Sequence, residues 1–192
     1  SLGDNEDKVE VSWSPNNQIV AYARTGDSLG YDREAIVLVG QNKENFKNLI
    51  VEGRGFVPNW SPSGNQILYS AHSSQAGFHP LLWISGSTGD SINASRRNLQ
   101  LETWADKCAW QNENILIRGV PRQMNDGAGL QRDLFDTGPD FVYKIDLKTG
   151  QKINLGQPEG NIAVGQITVA SDGAYAYLTD RNTGSLIRFR LR

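Results

Sequence analysis

The densest run of chemistry-bearing side chains lies between Pro121 and Asp140, where Met124, Asp126, Arg132, Asp133, Phe135, Asp136 and Asp140 fall within 20 residues. Four aspartates so close together could supply the several oxygen ligands that calcium prefers. Their spacing fails the Asp-x-Asp-x-Asp-Gly pattern, however, so a solvated acidic loop is expected. His72 and His79 flank the segment Ser73–Phe78 and could approach each other across a hairpin-like connection. Two imidazoles whose nearest downstream carboxylate is Asp90 make a poor zinc site. Cys108 is the single cysteine; an activated thiol wants a nearby histidine and exposure, and with both histidines in another repeat a buried, inert thiol is expected. Neither a Gly-x-Ser-x-Gly elbow, a Walker A loop nor a His-Glu-x-x-His pair occurs. The residues therefore give no catalytic, cofactor or metal site. Asn93-Ala94-Ser95 matches a glycosylation sequon by letters alone.

The elements that position these groups come from a repeat. Trp13-Ser14-Pro15-Asn16-Asn17-Gln18-Ile19-Val20-Ala21-Tyr22 is echoed by Trp60-Ser61-Pro62-Ser63-Gly64-Asn65-Gln66-Ile67-Leu68-Tyr69. Weaker copies start at Trp110 and at Val169, so successive spacings are 47, 50 and 59 residues. Periods of about 40–50 residues that carry short apolar strands are the signature of propeller blades. Helical repeats would need a 3.6-residue periodicity that is absent. In each copy an inner strand ends at the Trp position. Asn, Asp or Gly then makes a hairpin turn, and a second strand follows (Gln18–Ala23, Gln66–Ala71, Asn114–Arg118, Tyr175–Thr179). A variable loop leads to a third strand (Ala35–Val39, Leu81–Ser85, Phe141–Leu147, Leu186–Leu191). A polar outer strand closes three copies near Asn45–Val51, Arg96–Leu101 and Gln151–Leu155.

The chain thus reads as all-β, with four antiparallel propeller blades at about 9–52, 53–101, 102–155 and 156–192 behind a polar segment 1–8; the last blade lacks its outer strand. No device for closing a ring is visible, so the blades are expected to belong to a longer propeller or to pair with another chain. A compact four-bladed ring is the alternative. Trp13, Trp60 and Trp110 are expected to fill space between blades, with Trp83 packed on a third strand, whereas Trp104 breaks the repeat and is expected to be exposed. Arg188, Arg190 and Arg192 alternate with Ile187, Phe189 and Leu191, which places them on one strand face. Candidate interaction residues are Met124, Asp126, Arg132, Asp133, Phe135 and Asp136 of the long loop, His72, Phe78 and His79 of the second-blade loop, and Trp104. Loops on rigid scaffolds carry binding, and a 20-residue connection is long for a blade.

Composition narrows the partners. With 19 Lys+Arg against 21 Asp+Glu the formal charge is −2, so no global basic field gathers nucleic acid or an anionic membrane. No apolar run approaches the ~18 residues of a membrane span. The polar, acidic start Ser1–Asp7 is unlike a signal peptide.

Trp-Ser-Pro-x-Gly followed by an apolar strand, carried by Trp60–Gly64 and Ile67–Tyr69, and the strand-plus-turn Val142–Gly150 with Asp146 and Thr149-Gly150, resemble the TolB-like, WD40-like (PD40) β-propeller repeats. Ser171-Asp172-Gly173 is the same turn in its commonest form. The resemblance spans about Val9 to Leu191 and lapses at Trp110-Gln111-Asn112 and Val169-Ala170, where Ser-Pro is missing. Lys107-Cys108-Ala109-Trp110, Val120-Pro121 and Gly184-Ser185-Leu186 look more loosely like C-terminal propeller regions of uncharacterised bacterial proteins. The resemblance implies an extracytoplasmic bacterial setting and a non-catalytic scaffold for a protein, peptide or glycan partner. The alternatives are the gating propeller of a larger prolyl-oligopeptidase-like serine peptidase and a glycan-active enzyme using loop carboxylates.

Overall fold

The Trp-Ser-Pro repeat folds each time as an up-and-down antiparallel meander. A computed structural model describes residues 9–24, 29–42, 44 and 46–191; the segment 1–8 and Arg192 lie outside the described residues. The first sheet has the order β1 (Val9–Val11), β2 (Ile19–Ala23), β3 (Glu34–Gly40), β4 (Leu49–Val51). The second follows with β5 (Arg54–Trp60), β6 (Gln66–His72), β7 (Leu81–Gly86) and β8 (Arg97–Glu102). The third has β9 (Cys108–Asn112), β10 (Ile115–Pro121), β11 (Asp140–Asp146) and β12 (Lys152–Gly156). The fourth has three strands, β13 (Val164–Val169), β14 (Tyr175–Asp180) and β15 (Leu186–Arg190). These are the expected blades of a β-propeller. The outer strands are shifted or shortened by one to four residues from the sequence reading, most at β4.

The serine of the repeat closes the inner hairpin. Ser14 Oγ accepts the Ile19 N–H at 2.9 Å, and Ser61 Oγ accepts the Gln66 N–H at 3.2 Å. The turn needs a left-handed residue, supplied by Asn17 (φ 58°), Gly64 (φ 72°) and Gly173 (φ 67°), types that tolerate this region.

The core lies between consecutive blades. Tyr22 meets Phe56 edge-on at 5.1 Å, Phe56 meets Tyr69 at 5.4 Å, and Tyr69 stacks on Trp83 at 6.5 Å. Leu68, Leu82 and Ile84 meet Leu116, Ile145 and Leu147 at the next junction, and Ile117 and Val142 meet Val164, Ala176 and Leu178 at the last.

The tryptophans do more than fill space. The Trp60 indole N–H donates to Ser12 Oγ at 2.8 Å and the Trp110 indole N–H to Asn59 Oδ1 at 3.0 Å. Each bond reaches the residue just before the Trp position of the preceding blade. At the third junction both partners are apolar, Val169 and Ala109, in one cluster. Trp13 corrects the expectation of a buried ring: no blade precedes it among the described residues, and it is 55% exposed. On β15, Arg188 and Arg190 are exposed while Ile187 and Phe189 pack against the core, the alternation expected of the strand.

Meander topology puts the β2–β3, β6–β7, β10–β11 and β14–β15 loops at one end, together with the links between blades. The candidate interaction residues therefore share that end.

Candidate functional site

The long β10–β11 loop is a structured strap. It carries a short helix, α1 (Arg132–Phe135), and anchors on the buried Ala128. It docks on the β6–β7 loop through two backbone bonds, Gly127 N–H to Gly77 O and Gly129 N–H to Phe78 O, both 2.8 Å. The two loops singled out in the sequence thus form one surface. On the other side, Arg181 Nη2 of the fourth blade reaches Asp133 Oδ1 at 2.6 Å, and Asn182 Nδ2 donates to Thr137 O at 3.0 Å. The strap ties three blades together.

The acidic loop is solvated at Asp126 and Asp133, whose side chains are exposed, but not at its other two aspartates. Asp136 and Asp140 are buried, and both grip Lys107, itself fully buried, at the end of a one-turn helix Ala105–Lys107. Lys107 Nζ donates to Asp136 Oδ1 at 2.5 Å and to Asp140 Oδ1 and Oδ2 at 2.9 and 2.8 Å. Asp140 Oδ2 also accepts the Val164 N–H at 2.5 Å. Burial raises the Asp140 pKa, while Lys107 and the Val164 N–H pull it back. Arg132 Nε reaches Asp136 Oδ2 at 3.0 Å and its Nη1 reaches Asp106 Oδ2 at 2.6 Å.

Trp104 is the second correction. It is 4% exposed, with the Arg132 guanidinium 4.7 Å from its ring centroid and Lys107 Nζ 5.7 Å from it. An aromatic face attracts cations, so the ring belongs to the charge cluster. Lys107, Glu102, Arg181, Arg24 and Arg118 are missed by the sequence reading. Of these, Arg118 carried a signal, a single charge inside the apolar run Ile115-Leu116-Ile117 and Val120.

The two histidines do not pair with each other. His79 Nδ1 lies 3.1 Å from Glu102 Oε1 and its Nε2 lies 3.0 Å from Asp126 Oδ1, so the nearest acids are spatial rather than sequential neighbours. Among the described residues no three His, Cys, Asp or Glu side chains form a group that could hold a metal ion. Partial burial lowers the His79 pKa, but the hydrogen bonds and charges of Glu102 and Asp126 outweigh it, and the net shift is upward from 6.5. Stabilisation by this clamp is therefore fully present below the unfolded pKa and lost as pH rises through the folded one. An NMR titration, with His79→Gln for assignment, should give a His79 midpoint above 6.5. Protection of the Gly127 and Gly129 amides should fall over the same range. A midpoint below 6.5 contradicts the clamp.

His72 sits in a slot made by two glycines. A Cβ on Gly55 would stand 2.5 Å from the His72 ring, and one on Gly129 would stand 2.5 Å from His72 Cβ. Gly55 also has φ +69°, a region unfavourable to other residues. Burial and then Arg54 lower the His72 pKa, opposed by Asp32. The ring meets Phe78 edge-on at 6.4 Å. His72, Arg24, Ser70, Trp104 and Arg132 line a cleft of about 200 Å3 where the first two blades meet the strap. Phe135 lines a wider cleft of about 500 Å3 with Leu134 and Arg122, whereas Met124 is partly buried and lines neither.

Cys108 is buried, with its thiol pushed up to about 12 by burial. Asn93 of the sequon holds the first blade: its Oδ1 accepts the Ile50 N–H and its Nδ2 donates to Asn48 O, both at 2.8 Å.

No protein-family model matches the chain, and no curated protein sequence does. Its fold is similar to solved propeller structures. Against TolB from Acinetobacter baumannii the TM-score is 0.51 at 14% identity, covering 97% of this chain and 42% of that one. Against the tricorn protease the TM-score is 0.52 at 10% identity, covering 96% and 21%. Against an oligogalacturonate lyase in complex with manganese it is 0.53 at 14% identity, covering 90% and 45%. The chain spans less than half the length of each of these. Such likeness defines the class as a β-propeller of TolB-like architecture and leaves function to the site.

Proposed function

We propose that the chain is a non-catalytic β-propeller binding module, extracytoplasmic and bacterial, that engages a protein, peptide or glycan partner through the strap-bearing face. One observation carries the reading: every strap carboxylate faces a basic side chain, Asp136 and Asp140 being fully buried against Lys107 while Asp126 and Asp133 stay exposed. Asp126 is held by His79, Asp133 by Arg181, Asp136 by Lys107 and Arg132, and Asp140 by Lys107. General acid–base chemistry needs a group free to exchange its proton with a substrate. These acids instead hold the face in shape, and the same face shows apolar side chains to solvent, Leu130 at 58% and Leu134 at 68% exposed.

The test has two arms. Peptide and glycan arrays should yield a ligand whose capture is abolished by Leu134→Asp at unchanged melting temperature, and untouched by Tyr177→Ser on the fourth blade. A panel of peptide and oligosaccharide substrates should show no turnover. Turnover abolished by Asp126→Asn would instead favour the glycan-active reading, and an α/β-hydrolase segment in the same reading frame would favour the peptidase gate.

A further inference from the structure

The cleft of about 200 Å3 between the first two blades and the strap is lined by Arg24, His72 and Arg132, and among the described residues no carboxylate lines it. We propose that this cleft binds a carboxylate carried on a short apolar body, with the two guanidinium groups and the His72 ring around the carboxylate. The proposal rests on the binding-module reading of the same face and names the ligand chemistry it would take.

Donors are available. Among the described residues Arg24 bonds through Nη2, to Phe56 O at 2.9 Å and Glu10 Oε1 at 2.7 Å, with Nη1 and Nε outside those bonds. Arg132 spends Nε and Nη1 on Asp136 and Asp106, and its Nη2 is buried without a partner among the described residues. A buried donor left unpaired is costly, and an acceptor that reached it would relieve that cost. Ser70 Oγ accepts the Ala105 N–H at 3.1 Å and keeps its own O–H to donate. The ring nitrogens of His72 make no hydrogen bond among the described residues, while Gly55 and Gly129 fix where the ring stands.

The rest of the lining sets the body of the ligand. Val57, Ala71, Pro80 and Trp104 are apolar, a lining that suits a small branched chain better than a sugar ring with its hydroxyl shell. Charge sets the head group. Glu10 already faces Arg24, and Asp106 and Asp136 face Arg132, three carboxylates on two guanidiniums, so a single negative charge held by hydrogen bonds meets less repulsion than the two of a phosphate. Arginine's planar fork also matches a carboxylate.

A free acid and the C-terminal residue of a peptide offer the same chemistry, and the experiment separates them. The 15N-labelled chain is titrated with 4-methylpentanoate, 4-methylpentanamide, the acid form of N-acetyl-Ala-Leu and inorganic phosphate, following the Trp104 indole and Arg132 Nε–H resonances. The expected result is saturable shifts with 4-methylpentanoate, at least tenfold weaker binding of the amide and of phosphate, and about tenfold weaker binding by Arg24→Gln. Tighter binding of the dipeptide acid than of the free acid identifies a peptide C-terminus as the source, and the reverse identifies a small acid. Equal binding of acid and amide, or shifts absent from Trp104 and Arg132, overturns the proposal even if Arg24→Gln is unstable. Recovery of the probes unchanged keeps the two readings distinct. A carboxylate that binds and is consumed would sustain the cleft but end the non-catalytic reading, whereas absence of binding without turnover would end only the cleft.

Discussion

Lys107→Met is expected to destabilise the chain by about 3–5 kcal/mol, the cost of breaking a buried ion pair by removing one partner. For a domain of this size that lowers the melting temperature by on the order of 10 °C. Lys107 places one charge between Asp136 and Asp140, all three side chains being fully buried. Without it Asp140 keeps only the Val164 N–H as a donor and must ionise in a dry site, while Asp136 retains Arg132. The pH dependence follows from the raised pKa of Asp140, which rises further once Lys107 is gone. A raised carboxyl pKa makes the penalty largest above the folded pKa and relieves it as pH falls through that value. The deficit of Lys107→Met should therefore shrink in acid. The double variant Lys107→Met with Asp140→Asn removes both charges of one pair, leaves Asp136 to Arg132, and should be more stable than Lys107→Met alone. Urea unfolding of the two variants from pH 4 to 8 checks this. A loss below 1 kcal/mol for Lys107→Met would show that the cluster is hydrated rather than dry.

Arg118→Met is expected to act in the opposite direction, raising stability by about 1–4 kcal/mol. Arg118 sits on β10 opposite Cys108 and Tyr143, fully buried, and none of Nε, Nη1 and Nη2 has a hydrogen-bond partner among the described residues. Burial lowers its pKa to about 10, opposed by the charge of Asp140, so it stays ionised at neutral pH. A desolvated cation without acceptors is a net cost, which methionine avoids at similar length. The contrast with Lys107, another buried cation of the same blade, isolates the variable: one is paired and the other is not. Thermal and chemical unfolding of Arg118→Met decides it, and a loss of stability would mean that the guanidinium has an acceptor beyond the protein's own atoms.

The repeat was legible because what makes a blade is local. Trp60-Ser61-Pro62-Ser63-Gly64 carries the indole that reaches the preceding blade, the hydroxyl that closes the hairpin and the left-handed turn residue within five positions. Copies at Trp13, Trp60, Trp110 and Val169 repeat the pattern at the pitch of a four-stranded meander. Exposure was less legible. Trp13 and Trp60 share a motif, yet a ring is buried only where a preceding blade covers it. Trp104 lies outside the motif and is buried, with two cations beside its ring.

From the sequence alone the molecule is determined as four antiparallel blades, with a long acidic loop in the third and no familiar catalytic motif. Alternation of apolar residues and turn chemistry act within a few positions, so one strand and its neighbour suffice to read them. Only the tertiary structure decided what the loop does. Its partners lie far off along the chain: Lys107 is 29 residues from Asp136, His79 is 47 from Asp126, and Arg181 is 48 from Asp133. Coulomb attraction depends on distance in space and on the burial around it, not on sequence spacing. The same four aspartates could be solvated or brace a strap, and the fold divides them: Asp136 and Asp140 are buried against Lys107, whereas Asp126 and Asp133 stay in solvent beside His79 and Arg181.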